Sequence, residues 1–372
     1  MTGRILQFGT SRFLQAHVDL FVHEAREAGQ RVGPISVVQV SGSAARAGRV
    51  AAFGNPAGYP VIIRGLEDGA PVERRVTVTS IDRGLSAAAD WGVVRRHFDE
   101  ADYVVSNTGD SGYETGAERL DLAAAGAVPD SFPGKLAALL HHRWQAGARA
   151  PTILPCELVS RNGQVLQGIV LRLAEAAGAP TGFRDWLRGD VVWADTLVDR
   201  IVSEPLEPVG AVAEPYALWA IARRPGLVLP CTHPCIVLAD DLEPFERLKL
   251  HILNLGHTLL ADRWMREGRA PDATVRALLD DDGVRGWLEG VYRDEVLPGF
   301  RLRGMGPEAE AYVATTLERF RNPFLDHRLA DIAGSHATKV ARRLSAFRDW
   351  VGQGSGAEPD TPALTAAIAR AA

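Results

Sequence analysis

The order of apolar and polar positions predicts an α/β first half and a helical second half. Arg4–Phe8 reads as a short buried strand ending at Gly9, a helical run extends from Phe13 to about Ala28, and Ile35–Val40 reads as a second strand. Strand, glycine turn, helix and strand make the opening of a dinucleotide-binding unit. Two further strand-like runs within 59–84, YPVIIRG and RRVTVTSIDRG, flank a Glu67-Asp68-Gly69 turn and read as an inserted hairpin. A helix over Trp91–Phe98, a strand over Tyr103–Ser106, a helix over Ser131–Ala148, a strand from Thr152 and a helix over Gln164–Ala176 continue the alternation of a doubly wound parallel sheet. The proline- and acid-rich run Glu204–Pro208 predicts a boundary. The expected organisation is a Rossmann-like dinucleotide-binding domain over 1–205 and a mostly helical substrate or catalytic domain over 206–372. In the latter, helical spacing recurs over 259–268, 272–279, 283–295 and 307–321, and a Gly/Pro-rich connector at 352–362 precedes a short alanine-rich helix.

The most informative stretch is Lys249–His257, KLHILNLGH. At about 100° per residue, with Lys249 at zero, His257 falls near ~80° and Asn254 near ~140°, so three polar groups share one helix face. Leu248, Ile252, Leu255 and Leu259 fall on the opposite face and Leu250, Leu253 and Leu260 beside the polar one. The pattern predicts a helix buried on nearly all sides. A lysine in such a setting can act in proton transfer, an asparagine amide can donate to a developing alkoxide, and a histidine can orient a hydroxyl. The plain alternative is that Lys249 reaches solvent while Asn254 and His257 satisfy core partners.

Composition narrows the partners. A net charge of −5 with both signs spread along the chain, and no basic block, argues against nucleic acid. Three irregularly spaced cysteines make no disulfide framework. The opening MTGRILQFGT lacks the apolar core of a signal peptide, and no apolar run approaches the ~20 residues that span a bilayer, so a soluble cytoplasmic protein is expected. Cys231, His233 and Cys235 at alternate positions could supply three-quarters of a metal site, but Pro230 and Pro234 interrupt the strand and no fourth ligand stands at a familiar spacing. No metal is expected. The end of the second strand has no acid to hold a ribose 2′-hydroxyl, and Ser43 and Arg46 would tolerate a 2′-phosphate, which leaves NADP open beside NAD.

Lys-x4-Asn-x2-His resembles the signature of the polyol-specific long-chain dehydrogenases, the mannitol dehydrogenase family, whose lysine is the general acid/base and which need no metal. The resemblance implies that Lys249 carries the proton, Asn254 stabilises the oxyanion and His257 orients substrate. FGTSRFLQAHVD is similar to the opening of the family's tagaturonate and fructuronate reductases, which implies cofactor contacts at Phe8, Gly9, Ser11, Arg12 and Phe13, with Ser43 after the second strand; Ser11 departs from a small glycine-like position. SNTGDSGY resembles a family stretch near the cofactor and nominates Asn107 and Thr108. In ILPCELVSRNG, Leu158 stands where the mannitol enzymes have a carbonyl-polarising asparagine, leaving Glu157 as the polar contributor. TLVDRIV matches a segment that nominates Asp199, with Arg200 beside it. RFRNPFLDHRLADIAGSHATK resembles the tagaturonate reductase version, with Asp331 in place of an arginine and with His327 and Lys339 as candidates for the substrate's polar end. Together these imply an NAD(P)-dependent oxidoreductase acting on a sugar acid of the tagaturonate/altronate type. A polyol 2-dehydrogenase is the alternative, and a non-catalytic cofactor-binding protein or a Cys/His metal enzyme would be readings of another class. The oligomeric state stays open.

Overall fold

The four central strands of the principal sheet are buried on both faces, as near-continuous apolar runs require. The computed structural model describes residues 3–42, 47–109, 111–122, 124, 126–354, 356 and 359–371. In chain order the first strands are β1 (Ile5–Phe8), β2 (Ile35–Gln39), β3 (Tyr59–Glu67), β4 (Ala70–Val78), β5 (Ile81–Ser86), β6 (Tyr103–Ser106), β7 (Thr152–Pro155) and β8 (Val192–Trp193). The principal sheet runs β5-β2-β1-β6-β7-β8, all parallel. The chain order therefore reverses between β1 and β6, and in open α/β sheets ligands bind at that reversal, outside the carboxyl ends of the strands.

Alternation along each strand sorts the core. Ile5, Val37, Val105 and Leu154 face a cluster containing Leu20 and Phe21 of helix α2 (Val18–Glu27), which follows α1 (Arg12–Gln15). Leu6, Phe8, Val38, Val104 and Ile153 face the other cluster. That cluster is covered by α4 (Trp91–Glu100), α5 (Phe132–Gln145), α6 (Asn162–Ala176) and α7 (Thr181–Gly189), with α3 (Ala47–Phe53) preceding them in the chain. Each such fully buried side chain contributes roughly 1.5–3 kcal/mol.

Four local expectations are corrected. The helix expected from Phe13 to Ala28 is two helices, because the Ala16 carbonyl accepts from Arg200 (2.6 Å) and the His17 ring bonds the Leu218 carbonyl (3.0 Å) at the break. The run 74–84 is two strands, not one. The backbone N–H of Thr79 donates to His23 and Ser80 Oγ donates to the Asp19 carbonyl, ending the β3–β4 hairpin so that β5 can pair with β2. Helix α7 and strand β8 were not anticipated. The boundary near 205 falls inside the first of two compact units, which comprises residues 1–63, 74–213 and 217–242. Glu204–Pro208 is no linker. β10 (Val202–Pro205) turns back antiparallel onto β11 (Ala211–Ala213), with the Leu206 N–H donating to Gly210, and β11 pairs with β3. β9 (Thr196–Asp199), β12 (Leu218–Ala222) and β13 (Ile236–Ala239) form a third sheet.

The second unit takes residues 64–73, the tip of the hairpin, with 214–216 and 243–372. Its helices are α8 (Glu243–Leu248), α9 (Leu255–Glu267), α10 (Val275–Leu279), α11 (Asp282–Val291), α12 (Leu297–Leu302), α13 (Gly306–Phe320), α14 (Leu329–Ala333), α15 (His336–Val340), α16 (Ala346–Gly352) and α17 (Pro362–Ala371). π turns join α8 to α9, α11 to α12 and α15 to α16. One apolar cluster, from Ile252 to Ala367, fills this unit. A buried bidentate pair, Arg319 to Glu214 at 3.0 and 2.8 Å, ties residue 214 into it, with the guanidinium 4.2 Å from the Tyr216 ring centroid. Among the described residues, no helix is long and apolar enough to cross a membrane.

Candidate active site

At the carboxyl ends of β1, β2 and β6 lies a crevice of about 560 Å³. Gly9 lines it with φ +113°, and a Cβ there would collide with the Asn107 carbonyl oxygen, so glycine is required for two backbones to meet. Ser11 Oγ accepts from the Leu14 N–H (3.3 Å) and donates to Asn107 Oδ1 (3.1 Å), and the Asn107 amide donates to the Cys156 carbonyl (2.7 Å). One asparagine thus ties together the turns after β1, β6 and β7. Of the expected cofactor residues, Gly9, Ser11, Asn107 and Thr108 line the crevice. Phe8 lies beneath it in the core against Phe132 (centroids 5.4 Å apart), Arg12 is exposed, and Phe13 stacks on His17. Ser43 and Arg46 lie outside the described residues.

Gln39 and Arg49 also line the crevice and were missed. Gln39 ends β2, where an acid would hold a ribose; Arg49, on α3, pairs with Glu207 at 3.3 Å. The only available signal was position: the last residue of the second strand and the first basic group after it that the structure describes. A donor set of backbone amides, hydroxyls, an amide and a guanidinium around a glycine turn fits a dinucleotide's phosphates and ribose. Gly9→Ala is expected to raise the dissociation constant for a nicotinamide dinucleotide about tenfold or more, read by calorimetric titration of a variant whose circular dichroism is unchanged.

Glu157 is buried and accepts from Ser106 Oγ (2.9 Å), the Thr108 N–H (3.1 Å), Thr108 Oγ1 (3.0 Å) and the Tyr113 hydroxyl (3.2 Å). Burial pushes its pKa up, against these donors. It braces the loops after β6 and β7, and Tyr113 is a partner that sequence reasoning did not single out. Burial also pushes the Cys156 thiol well above the ordinary thiol range, so it packs as a small apolar residue. Leu158, beside Glu157, is 74% exposed. Asp199 is buried at the end of β9, opposite Leu218, and the Arg200 guanidinium holds the Ala16 carbonyl. His233 is engaged at both ring nitrogens, with Glu24 at 2.8 Å and the Cys235 N–H at 3.1 Å. Among the described residues no group of three or more His, Cys, Asp or Glu is placed to hold a metal ion.

Lys249, Asn254 and His257 belong to the second unit, as do His327 and Lys339. The helix carrying the first three is not uniformly α. Lys249–Asn254 is a π turn between α8 and α9. A π turn holds one residue more than an α turn, which subtracts about 100° from every position beyond it. Asn254 then falls near ~40° and His257 near ~−20° from Lys249, so the three converge within about 60° instead of the 140° of a regular helix. The helix is also more open than expected: Ile252, Leu253, Leu255, Leu259 and Leu260 are buried, but Leu248, Lys249, Leu250 and Asn254 are only half-buried.

His257 is buried between the Phe320 ring (centroids 4.4 Å apart) and the His327 ring (4.8 Å). Burial, then the neighbouring His327, Arg319, Arg343 and Lys339, push its pKa well below the ordinary histidine value, so the imidazole is neutral at pH 7 and can both donate and accept. His327 is lowered by burial too, and its buried Nδ1 has no hydrogen-bond partner in the structure. Lys339 Nζ donates to the Ile332 carbonyl (2.6 Å); burial and then Arg343 lower its pKa. Arg343, which the sequence reading did not single out, donates to the Asn254 carbonyl (3.3 Å) and to Thr258 Oγ1 (3.0 Å). This unit therefore gathers a half-exposed lysine and amide beside a neutral histidine, rimmed by positive groups.

Comparison with known proteins agrees with both halves. An altronate oxidoreductase of Halalkalibacterium halodurans is 33% identical over 94% of this chain and 71% of its own length. One from Klebsiella pneumoniae is 33% identical over 98% and 78%. Among solved structures, Pseudomonas fluorescens mannitol 2-dehydrogenase, in a ternary complex with NAD and D-mannitol, superposes with a TM-score of 0.74 at 20% identity, covering all of this chain and 79% of that one. Substrate-free D-sorbitol dehydrogenase gives 0.77 at 20% identity over 99% and 86%. At that identity they share the fold. Residues 3–226 match the mannitol dehydrogenase Rossmann domain and residues 241–369 the mannitol dehydrogenase C-terminal domain. The chain belongs to the mannitol dehydrogenase family of oxidoreductases.

Proposed function

We propose that this protein is an NAD-dependent reductase that interconverts a ketone and a secondary alcohol of a sugar acid, of the tagaturonate/altronate type. The feature that carries the reading is the π turn in the helix bearing Lys249, Asn254 and His257, whose extra residue brings their positions around the helix axis to within about 60°. The identity to proteins named altronate oxidoreductase supports the substrate class, as does the positive rim of Lys339 and Arg343 around His257, which suits a carboxylate. The first unit takes the dinucleotide through the Gly9 turn, Ser11, Asn107 and Thr108. When bound, the nicotinamide supplies or accepts the hydride. In reduction the Lys249 ammonium gives its proton to the carbonyl oxygen, the Asn254 amide donates to that oxygen as charge builds, and His257 holds the neighbouring hydroxyl. In oxidation a neutral Lys249 takes the hydroxyl proton. In the first unit Asp199 and Glu157 serve as polar supports, and in the second His327 joins Lys339 at the substrate's charged end.

The test is loss of reduced-nicotinamide absorbance with NADH or NADPH against tagaturonate, fructuronate, fructose and ribulose. Turnover with a keto-uronate and NADH is the expected result. Turnover confined to fructose or ribulose would move the substrate to a polyol-type ketose, and a preference for NADPH would move the cofactor to the 2′-phosphorylated dinucleotide. Cofactor binding without turnover of any of the four ketones would overturn the sugar-acid reading.

A further inference from the structure

The π turn that draws Lys249 toward Asn254 and His257 is held from outside its own helix. Its Ile252 carbonyl accepts from the hydroxyl of Tyr292 at 2.9 Å. Tyr292 is 1% exposed and is itself the first residue of the second π turn, Tyr292–Val296. Room for that hydroxyl exists because position 256 is glycine: a Cβ there would overlap the Tyr292 oxygen and lie 3.0 Å from the Phe320 ring, the same ring that packs on His257. The third π turn, Ala341–Ser345, adds Arg343, which donates to the Asn254 carbonyl and whose own carbonyl lies 3.1 Å from His251 Nδ1. Within the turn the Leu255 N–H is shared between the Leu250 and Ile252 carbonyls, so the Tyr292 hydroxyl is a second donor to the Ile252 carbonyl, supplied from outside the helix.

We infer that Tyr292, seated in the notch left by Gly256, is a positioning residue that holds the Lys249–Asn254 segment in its π register and so sets the mutual orientation of the lysine, amide and imidazole. Resting on the proposed role of Lys249, the inference adds a device remote from any substrate. Without the Tyr292 hydroxyl the segment has less reason to keep its extra residue. Reversion to an α register turns Lys249 by about 100° relative to Asn254 and His257. The ring of Tyr292 fills core space in either state, so Tyr292→Phe removes one hydroxyl without opening a cavity of any size.

The experiment compares the wild type, Tyr292→Phe, Gly256→Ala and Lys249→Ala as full-length proteins. For each it measures kcat per folded molecule, KM and dissociation constant for the dinucleotide, and kinetic isotope effects from deuterated solvent and deuterated NADH. Tyr292→Phe is expected to fold, to bind the dinucleotide normally, and to lose kcat on the order of ten- to a hundredfold. Its solvent effect should rise and its hydride effect should fall, because a misplaced lysine slows proton transfer selectively. Gly256→Ala, which drives a methyl into the same notch, is expected to give the same signature from the opposite side of the contact. A merely structural role would lower melting temperature or folded fraction and leave both isotope effects where they were. That pattern in both variants overturns the inference. If Lys249→Ala keeps near-normal turnover, the lysine reading itself fails and takes the inference with it. If Lys249→Ala is inactive while Tyr292→Phe and Gly256→Ala are wild-type in rate and isotope effects, the brace alone is wrong.

Discussion

Replacing Lys249 with alanine is expected to lower kcat by about three powers of ten while leaving the fold and dinucleotide affinity intact. Lys249 is half-buried and lies in the π turn, not in the apolar cluster that stabilises the unit, so its truncation opens no core cavity. What is lost is the group that delivers a proton to the carbonyl oxygen as hydride arrives. Asn254 remains to polarise that oxygen and His257 to hold the neighbouring hydroxyl, and these hydrogen bonds account for the residual rate. Because the proton moves in the transition state, kcat and kcat/KM for the ketone should fall together. Small primary amines added to the Lys249→Ala protein should restore part of the rate in proportion to their concentration, whereas in the wild type they should do nothing. Turnover within a few fold of wild type, with unchanged isotope effects, would remove Lys249 as the proton carrier.

The second large effect concerns stability and lies far from the lysine in sequence. Asp19, on α2, is fully buried in the first unit, where its Oδ2 accepts from the Tyr59 hydroxyl (2.8 Å) and more distantly from the Gln7 amide (3.5 Å), and its Oδ1 has no partner in the structure. Burial outweighs those two donors and raises the carboxyl from 3.8 to about 7. The sign follows from which state binds the proton more tightly. Below pH 3.8 the carboxyl is protonated whether the chain is folded or not and costs nothing. Between 3.8 and about 7 the unfolded chain ionises while the folded one does not, so stability is withdrawn progressively. Above about 7 both are ionised and the loss is complete, on the order of 4 kcal/mol. Asp19→Asn keeps the shape and the acceptor for Tyr59 but cannot ionise. It is expected to raise the melting temperature, with a gain that is small near pH 4, grows to about pH 7 and is flat beyond. A gain independent of pH would mean that Asp19 is not the ionising group.

The parts of this protein that a reader of the sequence can reach are those governed by nearest neighbours and periodicity. Buried strands announce themselves as short apolar runs, and β1, β2, β6 and β7 all lie within a residue or so of where the pattern puts them. The Gly9 turn was legible only as a strand ending in glycine before a helix, a weak signal by itself, and the lysine, asparagine and histidine stood out because one helical run carries all three. Where a run of residues has two ways to pair, the local pattern is silent. The segment 74–84 alternates well enough to be one strand, and it took His23 and the Asp19 carbonyl, more than fifty residues away in sequence, to cut it and send β5 to the parallel sheet. Glu204–Pro208 has the composition of a linker, yet the partners of β10 and β11 turn it into a hairpin.

The site shows the same division more sharply. Sequence by itself determined which chemical groups are present and that Lys249, Asn254 and His257 travel on one helix. Only the tertiary structure decided how closely they converge, since an α and a π turn of KLHILN differ by one residue per turn and nothing within those six letters selects between them. The selection comes from a hydroxyl at position 292 and a missing side chain at position 256, a contact that exists only once two helices pack. The protonation states were decided the same way: His257 and Asp19 carry the ordinary groups of their residue types, and burial among distant neighbours makes one a neutral imidazole at pH 7 and the other a carboxyl that holds its proton almost to neutrality.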